Sequence, residues 1–237
     1  MSESLLRIEN LSAGYGGRPV LENLALQVRA GERIALIGPN GCGKSTLLRT
    51  VTAEVPESHG RIYFDGEDIT DLVTEKIVAR GIGYLRQTRN VFTGLTVAEN
   101  LELARMDGKG VRHHNLHTLL EAFPALRGRE TVRAGLLSGG ERQSLAAAMV
   151  LYRNVRLLFL DEPLAGLSQD NAAQMLAGIA LMQRQDGFAV ITVEHRLKLV
   201  RPHVDRVIIM ARGRIAEDTA DSSILEDRGR LEKHYQL

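Results

Sequence analysis

Short apolar runs alternate with amphipathic stretches along most of this chain, and that alternation predicts strands and helices in turn. Near the N-terminus the pattern is extended. Leu5 to Glu9 carries a loose apolar alternation, Gly14 to Gly17 reads as a turn, and Leu24 to Val28 alternates with period two. Gly31-Glu32 turns into Arg33 to Ile37, a short and mostly apolar run suited to a parallel strand buried on both faces. A glycine-rich loop follows, then a helix over Lys44 to Ala53, and Arg61 to Phe64 reads as a strand stopped by the Asp65-Gly66 turn.

Gly83 to Leu85 ends another strand. Thr96 to Glu99 forms a capping box that opens a helix through Ala104, because hydroxyl and carboxylate can each satisfy an orphan backbone N–H. Residues 105 to 135 are more polar and predict a helical lobe with surface loops. A helix is then expected from Ser138 to Leu151. The strand Leu157 to Leu160 ends in Asp161-Glu162, and a helix follows over Gln169 to Gln185. Asp186-Gly187 turns into the strand Phe188 to Val193, with later strands at Arg206 to Met210 and Arg214 to Ala216. Apolar strands alternating with helices predict a largely parallel sheet covered on both faces.

Composition narrows this further. With 237 residues, 44% of them hydrophobic, the chain can bury the core of one large α/β domain or of one domain with an inserted lobe. A formal net charge of +1 gives no basic excess, so nucleic acid is not an expected partner. The lone Cys42 has no internal disulfide partner. The N-terminal MSESLLRIENLS lacks the apolar core of a secretory signal. No apolar run reaches the roughly 18 residues of a membrane-spanning helix. If the protein works at a membrane, another chain does the spanning.

The chemistry starts in the glycine-rich loop. Gly38-Pro39-Asn40-Gly41-Cys42-Gly43-Lys44-Ser45, followed by Thr46, fits G-x-x-x-x-G-K-[ST] between a predicted strand and a predicted helix. A triphosphate needs many donors within a small radius. Glycines let backbone N–H groups approach it, and the helix N-terminus adds positive potential. Lys44 would reach the outer phosphates and the Ser45 hydroxyl would ligate Mg²⁺. The same potential is expected to favour the thiolate of Cys42. Alone, this loop says only that a nucleoside triphosphate binds, and a small-molecule kinase or a GTPase would share it.

Two further segments narrow the class. Leu137-Ser138-Gly139-Gly140-Glu141-Arg142-Gln143 opens a helix, with Ser138 as cap and Glu141 as its capping-box partner. Read from the residues alone it is a well-capped helix start with exposed backbone donors. Arg156 to Pro163 is an apolar strand carrying two adjacent carboxylates at its end. LSGGERQ resembles the signature sequence of ATP-binding-cassette (ABC) ATPases, and the second segment resembles their Walker B strand. The resemblance spans Leu5 to Glu217. It implies that Asp161 holds Mg²⁺, that Glu162 is the general base or water positioner, and that Ser138, Gly139 and Gly140 complete the ATP site of an opposite subunit. It also implies that Gln87 senses Mg²⁺ and the γ-phosphate, that His195 is the switch histidine, and that Tyr15 stacks on adenine.

By the same resemblance the fold is a P-loop NTPase cassette. A mainly parallel sheet core carries an antiparallel β subdomain and a helical signature lobe at about 88–150, all within one domain over 1–237, with 218–237 as a C-terminal extension. Gly14 to Gly17 and Val91 to Leu101 are similar to the branched-chain amino-acid importer ATPases, and also to lipopolysaccharide-export ATPases. Ser168 stands where the family's D-loop usually ends in Asp, a departure shared with branched-chain-type ATPases. The implied partners are a second ABC ATPase subunit, as homo- or heterodimer, separate membrane-spanning permease subunits and a substrate-binding protein. The implied place is cytoplasmic, peripheral on the inner face of the cell membrane. A soluble ABC ATPase usually has two cassettes or a long coiled coil, and this chain has one cassette and no sustained heptads. His113, His114 and His117 show no ligand spacing and are expected to be a solvated surface rather than a metal cluster.

Overall fold

The computed structural model describes residues 4–88, 90–105 and 114–235. In chain order the strands and α-helices are β1 (Ser4–Tyr15), β2 (Arg18–Arg29), β3 (Arg33–Ile37), α1 (Lys44–Val51), β4 (Glu57–Phe64), β5 (Glu67–Asp68), α2 (Thr74–Ala79), β6 (Ile82–Leu85), α3 (Val97–Arg105), α4 (Leu116–Ala122), α5 (Gly139–Leu151), β7 (Leu157–Asp161), α6 (Gln169–Asp186), β8 (Ala189–Val193), α7 (Leu197–Val200), β9 (Arg206–Ala211), β10 (Arg214–Thr219) and α8 (Arg228–Tyr235).

These strands form two sheets. One has the order β2-β1-β4-β5 and is antiparallel; the other has the order β10-β9-β3-β8-β7-β6. In the second, β9, β3, β8, β7 and β6 run parallel, and only β10 is antiparallel at the edge. The central strands are apolar on both faces, as their continuous runs predict. Ile34 and Leu36 of β3 join one core, and Ala35 and Ile37 join the other. On β7, Leu157 and Phe159 point to one side while Leu158 and Leu160 point to the other. Each such large side chain taken out of water contributes about 1.5–3 kcal/mol.

The parallel sheet is covered on both faces, as expected, and the two covers differ. Helices α4, α5 and α6 cover one face, whereas the other packs on α1 together with the antiparallel sheet, through Leu6, Ile8, Leu24, Leu26 and Phe64. The antiparallel strands are also longer than their alternation shows. Register shifts in β1 between Ile8 and Leu11, and again up to Gly14, break the period-two pattern.

Parallel pairing decides where the chemistry gathers. Strands β3, β8, β7 and β6 all end at the same edge, and each is followed by a predicted functional segment. The glycine loop follows β3, Glu194-His195 follow β8, Glu162 follows β7, and Gln87 lies two residues beyond β6. In a parallel sheet the carboxyl ends of the strands are where ligand crevices form.

Candidate functional site

The loop after β3 is squeezed against the end of β9. Gly38 has φ 149°, and a Cβ there would lie 2.2 Å from the Met210 carbonyl oxygen, so no side chain is accommodated. Gly43, at φ 108°, leads directly into α1, and a Cβ on it would strike Leu21 at 2.7 Å. The loop therefore passes with its backbone exposed to a cleft of about 640 Å³. Asn40, Lys44, Ser45, Gln87, Glu162 and His195 are among its lining residues. Lys44 is buried, and its Nζ donates to the carbonyls of Gly38 at 2.8 Å and Pro39 at 3.0 Å. An ammonium held on its own loop's carbonyls is a positive charge already placed beside the cradle.

Asp161 closes β7 and is buried. Its Oδ1 accepts from the Ser45 hydroxyl at 2.9 Å, and its Oδ2 accepts from the Tyr84 hydroxyl at 2.9 Å. Glu162, the next residue, sits at φ 50°, a left-handed conformation that costs a non-glycine residue of order 1 kcal/mol or more. That turn swings its carboxylate into the cleft. Gln87 Nε2 donates to Glu162 Oε2 at 2.7 Å, and His195 Nε2 lies 3.2 Å from Glu162 Oε1. Three residues singled out from three separated segments, Ser45, Gln87 and His195, thus converge on two neighbouring carboxylates.

Hydroxyl, carboxylate and amide oxygens are the hard donors that Mg²⁺ selects; Ser45 and Gln87 line the cleft, and Asp161 is hydrogen-bonded to Ser45. The donor set fits that ion.

Two residues outside the sequence-based list also shape the site. Tyr84, on β6, holds Asp161. Glu194 is buried, and its carboxylate accepts three backbone N–H groups: Leu164 at 2.7 Å, His195 at 3.0 Å and Arg196 at 3.2 Å. It thereby ties the loop after Glu162 to the loop carrying His195. An acidic residue directly before His195 was visible in the sequence, but its partners are distant in the chain.

The Ser138–Gly140 segment stands apart from this cleft and lines none of it. Ser138 Oγ accepts from the Glu141 N–H at 3.2 Å, and Glu141 Oε2 accepts from the Ser138 N–H at 2.8 Å, so the capping box is formed. A Cβ at Gly139 would meet nothing within 4 Å, whereas one at Gly140 would strike Asn171 Nδ2 at 2.5 Å. The signature helix therefore abuts the start of α6. There Ser168 is the N-cap, its Oγ accepting from the Asn171 N–H at 3.2 Å. Capping is the observable work of the residue that replaces the usual D-loop Asp.

Two expectations, for Cys42 and His114, stand differently in three dimensions. Cys42 is buried, and burial pushes its thiol pKa up despite the opposing pull of Lys44. The expected thiolate is thus corrected: desolvation outweighs the loop's positive potential. His114 is not a solvated surface residue, because it is mostly buried with Nε2 3.1 Å from Asp186 Oδ2; His117 is exposed beside Glu121, and His113 lies outside the described residues. Tyr15 is exposed at the end of β1, outside the lining of the phosphate cleft, which Val20 enters. No group of His, Cys, Asp and Glu able to hold a metal by itself occurs among the described residues.

Comparison with known proteins gives the family and the fold. The ABC transporter family matches residues 21–165. The probable branched-chain amino acid transport ATP-binding protein LivF of Archaeoglobus fulgidus is 35% identical over 224 residues, covering 94% of each chain. The lipopolysaccharide export system ATP-binding protein LptB of Haemophilus influenzae is 32% identical over 228 residues, again covering 94% of each. A solved ATP-binding cassette of an ABC transporter superposes with TM-score 0.82 at 26% identity, over 97% of this chain and 98% of that one. Its ADP conformation gives 0.78 at 27%. With a phosphate loop, an Asp-Glu strand end and a capped signature helix on one scaffold, this chain belongs to the ABC transporter family as an ATP-binding, ATP-hydrolysing subunit.

Proposed function

We propose that this ATPase powers solute movement across a membrane as one of a pair of cassettes, in an importer of the branched-chain amino-acid type. The observation that carries the pairing is the separation of Ser138–Gly140 from the cleft of its own chain. That helix start presents an open Gly139 and has no phosphate of its own to meet. The triphosphate of this chain is cradled by Gly41 to Ser45 instead. A second cassette, placed head-to-tail, supplies the missing donors.

Within one site the residues divide the work. Lys44 and the loop N–H groups take the phosphate charge. Ser45 and Asp161, with Gln87, would hold Mg²⁺, which when bound neutralises charge on the phosphate oxygens. Glu162 accepts the proton of a water that attacks the γ-phosphorus as the bond to the β-phosphate oxygen breaks, giving ADP and phosphate. His195 orients the γ-phosphate side of the cleft, and Tyr15 faces the base. Glu194 keeps His195 and Leu164 in register.

Coupling to a membrane partner is supported by a groove of about 560 Å³ beside Gln87. Val78, Tyr84, Arg86, Leu103, Met149 and Val150 are among its lining residues, contributed by α2, the β6 region, α3 and α5. No described helix is long and apolar enough to cross a membrane, so the spanning helices of this reading are those of separate permease subunits. The importer assignment draws on the similarity to LivF over 94% of each chain, and the same reading includes a substrate-binding protein and a place on the inner membrane face. The comparable similarity to LptB favours a second reading, a lipopolysaccharide-type exporter. Reconstitution with the membrane subunits of neighbouring genes separates them. ATP-dependent uptake of labelled leucine into vesicles supports the importer, and ATP-dependent extraction of lipopolysaccharide without such uptake contradicts it.

A further inference from the structure

Asp161 has one partner on each carboxylate oxygen. Ser45, from α1, takes Oδ1, and Tyr84, from β6, takes Oδ2. The second contact follows from sheet register. Tyr84 pairs with Phe159 across the parallel β6–β7 ladder, and Asp161 lies two residues further on the same face of β7. The tyrosine ring packs edge-to-face on Phe159, with centroids 6.2 Å apart and planes at 84°, and its hydroxyl reaches on to the carboxylate.

Other contacts fix the ring. The Arg86 guanidinium stands 5.6 Å from the ring centroid, and Arg49 of α1 interacts with the phenol. A carboxylate oxygen accepts, so Tyr84 is the donor in its hydrogen bond to Asp161.

We propose that Tyr84 is a positioning residue for the cation that accompanies the triphosphate. Its hydroxyl fixes the plane of the Asp161 carboxylate so that Oδ1 stays beside Ser45. A carboxylate fixed on one oxygen only is free to turn about its last torsion, and a buried oxygen without a donor is left unsatisfied. Phenylalanine keeps the ring contact with Phe159 and removes only the donor. The inference rests on assigning Asp161 and Ser45 to the cation.

The test uses Tyr84→Phe and Asp161→Asn in the full chain. Mn²⁺ binding to the ATP-loaded protein is read by electron paramagnetic resonance, and binding of a fluorescent ATP analogue is read in EDTA. Tyr84→Phe is expected to weaken Mn²⁺ binding by about five- to thirtyfold, with metal-free nucleotide affinity unchanged. Asp161→Asn is expected to weaken Mn²⁺ binding further. A Tyr84→Phe isotherm superposed on wild type, with Asp161→Asn shifted, overturns the positioning role. If neither variant shifts, the assignment of the cation to Asp161 fails, and this inference fails with it. A metal-dependent readout separates this role from plain packing, which would lower stability without moving the isotherm.

Discussion

Gln87 and His195 hold opposite oxygens of one carboxylate: Gln87 Nε2 donates to Glu162 Oε2 at 2.7 Å, and His195 Nε2 lies 3.2 Å from Glu162 Oε1. The two come from segments following β6 and β8, on either side of the β7 strand that carries Glu162. The carboxylate assigned as base is thus clamped by the two residues assigned to the γ-phosphate. With one donor on each oxygen, the carboxylate keeps lone pairs free to accept from a water.

Glu162→Gln keeps both neighbours' geometry and removes the proton acceptor. Hydrolysis is expected to fall about 10²–10⁴-fold, the usual worth of a general base, with ATP affinity kept. Steady-state phosphate release and equilibrium nucleotide binding check this together. Near-normal turnover would take the base role away from Glu162.

Glu194 is expected to matter through the backbone it holds. Replacing it with Ala orphans the N–H groups of Leu164, His195 and Arg196. Leaving buried donors unpaired costs about 1–3 kcal/mol. For a chain of this size that lowers Tm by about 2–4 °C for each kcal/mol. Hydrolysis should fall as well, because His195 loses its fixed start. Glu194→Gln should recover part of both. A calorimetric scan showing an unchanged Tm for Glu194→Ala would contradict the account.

Cys42 provides a pH test. Its folded pKa is raised, chiefly by burial, above that of the unfolded chain. The stability linked to it is complete below the ordinary thiol range of about 8.5 and is lost as pH rises through the folded pKa. Denaturant unfolding between pH 7 and 10 should show that decline, and Cys42→Ser should flatten it. Alkylation by iodoacetamide at pH 7 should be at least about tenfold slower in the folded protein than in urea, because burial removes both access and thiolate. Equal rates in the two states would show that the loop is open to solvent.

Much of this site was legible in the residues because its parts are local. A glycine loop between strand and helix, a capped LSGG and an Asp-Glu at the end of an apolar strand each declare themselves within a few positions. What stayed hidden depends on distant partners. Tyr84 reads as one more apolar-leaning strand residue until β6 pairs with β7, and Glu194 reads as solvated until Leu164 is seen to donate to it. Cys42 misled because sequence shows the nearby Lys44 but not the burial that outweighs it. The short α2 and β5 carry too few residues to show a period, and the bulges of β1 erase one that its length would otherwise display.

The central claim is that the site is completed by another chain. Gly139→Asp tests it, since a Cβ at Gly139 meets nothing within its own chain and the fold should accept the change. In a Glu162→Gln background, light scattering with MgATP should show a dimer that is absent without nucleotide. Adding Gly139→Asp should abolish that dimer while monomer nucleotide affinity stays the same, because the new carboxylate faces a γ-phosphate across the interface and repels it. An unchanged ATP-dependent dimer in the double variant, or nucleotide affinity lost in its monomer, would contradict the composite site.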